Sequence, residues 1–181
     1  MTLTIVRLYH DLLGNAEILL HRARARGHQV ELVEVLPGDR IPASGDIYLL
    51  GGGEDGPQMA ALDLLIRDGG VNRAVAAGGA VLAVCAGFQL IGTQLPGADG
   101  RMVAGLGLVD AWTQYDQRPR SVGEVVVRSH EHPDQVWTGF ENHQGVTRIG
   151  PTMTPLGHVL RGVGNGLDDG DGWQRVEGVH H

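Results

Sequence analysis

Cysteine and lysine are what this sequence of 181 residues has least of. Cys85 is the single cysteine, and all 14 basic residues are arginine. One cysteine cannot form an intrachain disulfide, so a reducing compartment is the simplest setting. The absence of lysine excludes every lysine-based mechanism, including a phosphate-loop lysine and a Schiff base. Aromatic residues make up 4% of the chain and the formal net charge is −7, so a nucleic-acid partner is disfavoured.

Long apolar segments are also absent. No run reaches the roughly 18 residues that a membrane-spanning helix needs, so we expect no membrane span. The first residues lack the basic segment and apolar stretch of a signal peptide. We therefore expect a cytoplasmic protein. The length suits one domain with a sizeable core, and we expect residues 1–181 to form a single domain.

Strand and helix patterns alternate in the first half of the chain. This alternation is typical of βαβ units, and it predicts a flavodoxin-like, mostly parallel sheet with helices on both faces. From about residue 105 onward, short apolar segments separated by turn residues predict an antiparallel C-terminal extension. The predicted strands of the first half are 3–9, 29–36, 46–50 and 80–84, and the predicted helices are 15–26 and 57–77.

Cys85 lies between a short apolar strand pattern and a new helical pattern. A thiol at a sharp strand-to-helix turn is exposed at the carboxyl edge of the sheet, and the helix N-terminus favours the thiolate. The small residues Ala83, Ala86 and Gly87 allow the turn to be tight. We expect Cys85 at the end of an inner strand. The alternative is a buried structural cysteine, because free cysteine is among the most buried residue types.

A run of three glycines, Gly51-Gly52-Gly53, follows the strand predicted at 46–50. The segment lacks the G-x-G-x-x-G pattern of dinucleotide-binding folds. Glycines at this point let backbone N–H groups face a neighbouring nucleophile, which is the arrangement of an oxyanion hole. A plain tight turn is the alternative interpretation.

Several segments, taken in order, resemble a known family. They are Leu49 to Asp55, Val84 to Gly92, Phe140-Glu141-Asn142-His143-Gln144-Gly145, Leu156-Gly157-His158 and Gly162-Val163-Gly164-Asn165. Together they are similar to class I glutamine amidotransferases of the cobyric-acid-synthase-like branch, and within it to the glutaminase subunits of lipid II isoglutaminyl synthases. The resemblance covers nearly the whole chain.

The resemblance implies a mechanism and a set of site residues. Cys85 attacks the side-chain amide of glutamine to form a thioester, while the backbone of Gly52, Gly53 and Ala86 holds the oxyanion. Gln89 and Arg120 help to bind glutamine. The ammonia goes to a Mur-ligase-like synthetase partner that amidates the D-glutamate of lipid II, in a heterodimer that serves peptidoglycan synthesis and cell shape. ATP and metal belong to that partner, and this chain needs no cofactor.

The sequence departs from the family pattern in two places. The family's catalytic histidine lies in a Gly-Thr-Tyr-x-His-Gly motif, which is absent after Glu177-Gly178-Val179-His180. The loop at Asp11-Leu12-Leu13-Gly14-Asn15 is also shorter than the family's. We therefore expect a domain truncated at its C-terminus, with little turnover. No catalytic role is assigned to His143, His158, His180 or His181. The alternative functions are a stand-alone cysteine hydrolase or peptidase on a similar fold, and a catalytically silent scaffold.

Overall fold

The structure is a computed structural model that describes residues 2–9, 14–53, 55–115, 117–165 and 173–175. The described chain divides into two compact units, with the boundary between Ile91 and Gly92. None of the helices in these ranges is long and apolar enough to cross a membrane.

The first unit alternates strands and helices, as the sequence predicts. Its elements are β1 (Thr2–Leu8), α1 (Asn15–Ala25), β2 (Gln29–Val35), β3 (Ile47–Leu50), α2 (Asp55–Asp68), α3 (Gly70–Ala76), β4 (Ala80–Ala83) and α4 (Ala86–Ile91). The four strands form one parallel sheet in the order β2-β1-β3-β4.

This strand order explains why helices cover both faces of the sheet. The chain moves one way from β1 to β2 and the other way from β3 to β4. Because parallel crossovers are right-handed, opposite directions place the connecting helices on opposite faces. The central strands β1 and β3 are the most buried, and Ile5, Val6 and Leu49 are each 0% exposed, whereas β2 and β4 are partly exposed. The predicted α/β fold class is confirmed.

Two details of the first unit differ from the prediction. The single helix expected at 57–77 is two helices, α2 and α3, separated by Gly69 with φ of 64°. Left-handed backbone at Gly69 ends the first helix, because an α-helix cannot continue through it. The strand before Cys85 was expected to be an inner one, but β4 is at the edge of the described sheet. After α4 the chain enters strands that pair with one another instead of with β4.

The second unit is built from strands. They are β5 (Gln94–Pro96), β6 (Met102–Ala104), β7 (Ala111–Tyr115), β8 (Ser121–Ser129), β9 (Val136–His143), β10 (Gly145–Ile149), β11 (Thr154–Arg161) and β12 (Trp173–Arg175). One sheet has the order β10-β7-β5-β6 and contains one parallel pairing, between β5 and β7. The other, in the order β12-β11-β8-β9, is wholly antiparallel. The predicted antiparallel region is thus present, in sheets separate from the parallel one.

Candidate active site

Cys85 occupies the sharp turn between β4 and α4. The residue is exposed and its φ is 56°, a left-handed value that only Tyr9 shares among the described non-glycine residues. Its carbonyl accepts the N–H of Phe88 at 3.0 Å and that of Gln89 at 3.4 Å, which begins the helix directly after the turn. A side chain in this conformation costs free energy, and such strain is concentrated at functional sites.

Gly87 lets the turn approach β3 closely. A Cβ atom at this position would overlap the Leu50 carbonyl oxygen and would lie 3.0 Å from the Gly51 oxygen. Real Cβ atoms do not come so near to backbone, so only glycine fits here. The Val84 N–H also donates to the Leu50 oxygen at 2.9 Å. The cysteine turn is therefore held directly against the carboxyl end of β3.

The glycine loop leaves the sheet beside Cys85. Leu50 and Ala83 are partners in the parallel register, so Gly52 and Cys85 each lie two residues beyond the paired strand ends. Gly53 is exposed, with open space where a side chain would be. Glu54, in the same motif, lies outside the described residues.

The backbone of the turn offers a hydrogen-bond donor. The N–H of Gly87 donates to the Val84 oxygen at 3.0 Å, whereas the N–H of Ala86 has no partner among the described residues. The first N–H groups of a helix lack intrahelical acceptors, which leaves them available to a ligand. Ala86 and the glycine loop therefore supply backbone N–H groups at the same sheet edge as the thiol.

Gln89 is half-buried on α4, and a residue that the sequence analysis missed contacts it. The side-chain amide of Gln58, on α2, donates to the Gln89 Oε1 at 2.9 Å and to the Ala86 oxygen at 3.3 Å. Gln58 is 5% exposed. Its spacing from the buried Leu62 and Leu65, four and seven residues later, is the signal that could have placed it on the inner face of the helix.

Arg120 lies in the second unit, immediately before β8. Its Nε donates to the Asn142 Oδ1 at 2.6 Å, and its Nη2 donates to the Asn142 backbone oxygen at 3.4 Å. Arg120 is exposed and lines a cleft of about 390 Å³ together with His143 and Asn165. A guanidinium fixed on one side in this way presents its remaining N–H groups for bidentate binding of a carboxylate.

Two of the family-like segments meet around this cleft. Glu141 is 8% exposed, and its two carboxylate oxygens accept the N–H groups of Val163 and Gly164, each at 2.8 Å. Asn165 pairs with the backbone of Thr147, accepting its N–H at 2.8 Å and donating to its oxygen at 2.6 Å. The glutamate and the asparagine thus hold the 162–165 turn against β9 and β10.

His143 is held within the same cleft. Its Nδ1 lies 3.3 Å from the Gly145 oxygen and its Nε2 lies 3.5 Å from the Glu141 Oε2. Because a carbonyl oxygen only accepts, the Nδ1 carries the proton of that bond. These contacts are those of a hydrogen-bonded structural histidine. His158 is on β11, whereas the segment from Glu177 to His181 and residues 11–13 lie outside the described residues.

The sequence-predicted site residues thus fall into two groups. Cys85, Ala86, Gln89 and the glycine loop are neighbours in the first unit. Arg120 is in the second unit, together with the Phe140 to Gly145 and Gly162 to Asn165 segments.

Comparison with known proteins identifies related chains. The family model described as the CobB/CobQ-like glutamine amidotransferase domain matches residues 4–179. The chain is 33% identical over 187 residues to the lipid II isoglutaminyl synthase (glutamine-hydrolyzing) subunit GatD of Streptococcus pneumoniae, covering 99% of this chain and 70% of that protein. The subunit of the same name from Staphylococcus aureus is 33% identical over 178 residues, covering 97% of this chain and 69% of that protein.

A second group of relatives shares less of its length with this chain. Cobyric acid synthase of Mesorhizobium japonicum is 32% identical over 154 residues, which cover 80% of this chain and 30% of that protein.

Proposed function

Because the chain belongs to the CobB/CobQ-like glutamine amidotransferase family, we propose that Cys85 is its nucleophile and that the ammonia released serves the amidation of lipid II. Membership of this family makes the chain a glutamine-hydrolysing amidotransferase subunit. The chemistry at Cys85, the residues that bind glutamine, the acceptor and the partner are the proposed part.

The observation that carries the proposal is the conformation of Cys85. An exposed thiol on a strained strand-to-helix turn, beside a glycine loop, matches the requirements of a nucleophile. The sulfur of Cys85 attacks the side-chain carbonyl carbon of glutamine, and the carbonyl oxygen becomes an oxyanion. The N–H groups of Gly52, Gly53 and Ala86 stabilise this charge.

The reaction then needs two bond cleavages. Collapse of the first tetrahedral intermediate breaks the carbon–nitrogen bond, and the nitrogen leaves as ammonia with the proton that the Cys85 thiol gives up on attack. The γ-glutamyl thioester that remains is attacked by water, the carbon–sulfur bond breaks, and glutamate and the free thiol are regenerated. Gln89 and Arg120 bind glutamine. The bidentate geometry of a guanidinium suits the α-carboxylate.

The coverage of the relatives favours lipid II as the final acceptor. The lipid II isoglutaminyl synthase subunits align with 99% and 97% of this chain, whereas the cobyric acid synthase aligns with 80% of it. We infer a single glutaminase domain that forms a heterodimer with a Mur-ligase-like synthetase in the cytoplasm. The synthetase binds ATP and metal and transfers the ammonia to the D-glutamate of the stem peptide. This reaction contributes to peptidoglycan synthesis and to cell shape.

Glutamine hydrolysis and thiol labelling test this proposal together. The full chain is assayed for glutamate release, alone and with the synthetase, and its mass is measured after treatment with the glutamine analogue diazo-oxonorleucine. We expect one adduct at Cys85, slow glutamate release that is lost in Cys85→Ala, and amidated lipid II only when both subunits are present. Glutamine hydrolysis that survives Cys85→Ala, or a Cys85 that stays unlabelled, would contradict the proposal. Labelling at Cys85 without any glutamine hydrolysis would favour the catalytically silent scaffold. Peptide cleavage in place of glutamine hydrolysis would favour a stand-alone peptidase.

A further inference from the structure

Gln58 is a polar residue at a buried position of α2, where an apolar side chain would be the usual choice. It is 5% exposed, and the residues four and seven positions later on the same face of α2, Leu62 and Leu65, are 4% and 0% exposed. A buried amide that lacks partners is costly, so this position is favourable only because the side chain forms specific hydrogen bonds. Those bonds connect α2 to the turn that bears Cys85.

The backbone fixes which way the Gln58 amide faces. Its Nε2 lies 3.3 Å from the Ala86 carbonyl oxygen, which can only accept a hydrogen bond. The nitrogen of Gln58 must therefore be on that side. The same nitrogen lies 2.9 Å from the Gln89 side chain, so the Gln89 atom that faces it must be an acceptor, the Oε1. The orientation of one amide thus determines the orientation of the next.

We propose that Gln58 is a positioning residue that sets which end of the Gln89 amide meets the substrate. With its oxygen held by Gln58, Gln89 has its NH₂ group and two donors left for a ligand. Gln89 then binds an oxygen atom of glutamine and cannot serve as the acceptor for an amino group. This inference rests on the proposed function, because it specifies how the same site recognises glutamine.

A double-mutant cycle separates positioning from simple packing. Gln58→Met keeps the length and the apolar stem but removes both donors. Gln58→Glu keeps the shape and, at a pH at which the new carboxyl group is ionised, removes the donors and turns the Gln89 amide around, because a carboxylate can only accept from it. Gln89→Met removes the residue through which Gln58 acts. Gln29→Met, at an exposed glutamine on β2, is the matched control.

KM and kcat for glutamine are measured for the full chain and each variant. The thermal midpoint and the iodoacetamide labelling of Cys85 are measured in parallel. Loss of an oriented hydrogen bond is expected to raise KM about 3- to 10-fold in Gln58→Met, with kcat changed by less than about 2-fold. Gln58→Glu is expected to raise KM further. In the Gln89→Met background, Gln58→Met is expected to change KM by less than about 2-fold.

The outcomes distinguish this inference from the proposed function. Gln58→Met could lower kcat, Cys85 labelling and the thermal midpoint equally in the wild-type chain and in Gln89→Met. That result would show that Gln58 only packs the turn, and it would overturn the inference. If Gln58→Met is too unstable to measure, the isosteric Gln58→Glu decides: an unchanged KM would also overturn it. A wild-type chain that fails to hydrolyse glutamine would instead refute the proposed function.

Discussion

Arg120, which we propose to bind glutamine, is held in place by hydrogen bonds within the chain itself. Asn142 accepts from two of its nitrogen atoms, so the plane and direction of the guanidinium are set by β9. We expect Arg120→Ala to raise KM for glutamine about tenfold or more without unfolding the chain, since hydrogen bonds to charged groups are the stronger ones.

Lysine should not replace this arginine. Arg120→Lys keeps the charge but lacks the planar fork, so we expect KM to stay near that of Arg120→Ala. Arg101→Ala, at a side chain 88% exposed in the same unit, is the control. Unchanged glutamine turnover in Arg120→Ala, with an intact circular-dichroism spectrum, would mean that Arg120 is only a solvated loop arginine.

Gly87 is a second residue at which a single added carbon atom is expected to change the stability of the fold. A methyl group there would overlap the backbone at the end of β3, so Gly87→Ala should destabilise the fold by about 1–3 kcal/mol and reduce labelling of Cys85. Gly56→Ala on α2 has open space around the added methyl group and should leave stability unchanged or slightly higher. Urea unfolding of the two variants provides the comparison, and equal stability would contradict the close approach.

Among the elements, the break between α2 and α3 gives the clearest test of backbone conformation. Gly69 has φ of 64°, which costs an L-residue about 1–2 kcal/mol. We therefore expect Gly69→Ala to lower the free energy of unfolding by about this amount, as measured by urea titration. If Gly69→Ala were as stable as the parent chain, the two helices would instead form the single continuous helix that the sequence pattern predicts.

The sequence predicted the elements whose signals are local. The first strand was expected at 3–9 and lies at Thr2–Leu8, because closely spaced apolar residues within this short segment define it. By contrast, β5 and β7 were not predicted. β5 has three residues, one of them proline, and β7 pairs over five residues with β10, about thirty positions later along the chain. Such pairing depends on distant partners that no local pattern reveals.

The residues of the candidate site also differ in whether a local sequence pattern reveals them. Cys85 could be located from the sequence because its turn is made by adjacent residues. Gln58 and Asn142 were missed as partners of the site because they contact residues 31 and 22 positions away, respectively. Asn142 belongs to the Phe140 to Gly145 segment, but that segment does not indicate that Arg120 is its partner. For Gln58, only the spacing on its helix hinted at burial.

At the scale of the whole molecule, the absence of lysine simplifies the alkaline titration. Tyr9 follows β1, and its pKa is raised above the ordinary value of 10.0, first by burial and then by the negative charges of Asp68 and Asp39. The folded chain therefore keeps this proton to higher pH than the unfolded chain does. With no lysine titrating in the same range, few other groups obscure the effect.

The raised pKa predicts the direction of a stability change. As pH rises from 10.0 towards the folded-state pKa of Tyr9, the unfolded chain binds fewer protons, so the free energy of unfolding falls. Tyr9→Phe should remove this part of the fall, together with the corresponding tyrosinate absorbance. Urea unfolding at a series of alkaline pH values measures the slope, and a slope that is the same in Tyr9→Phe would contradict the assignment.

The backbone at Cys85 also constrains what evolution can place at that position. Glycine would relieve the left-handed strain, so Cys85→Gly should be about 1 kcal/mol more stable than the natural chain, while Cys85→Ala, which keeps a Cβ atom, should gain nothing from this source. Serine can adopt the conformation more readily than threonine, whose branched Cβ is poorly tolerated there. Selection for thermal stability alone would therefore drive this position towards glycine and eliminate the thiol.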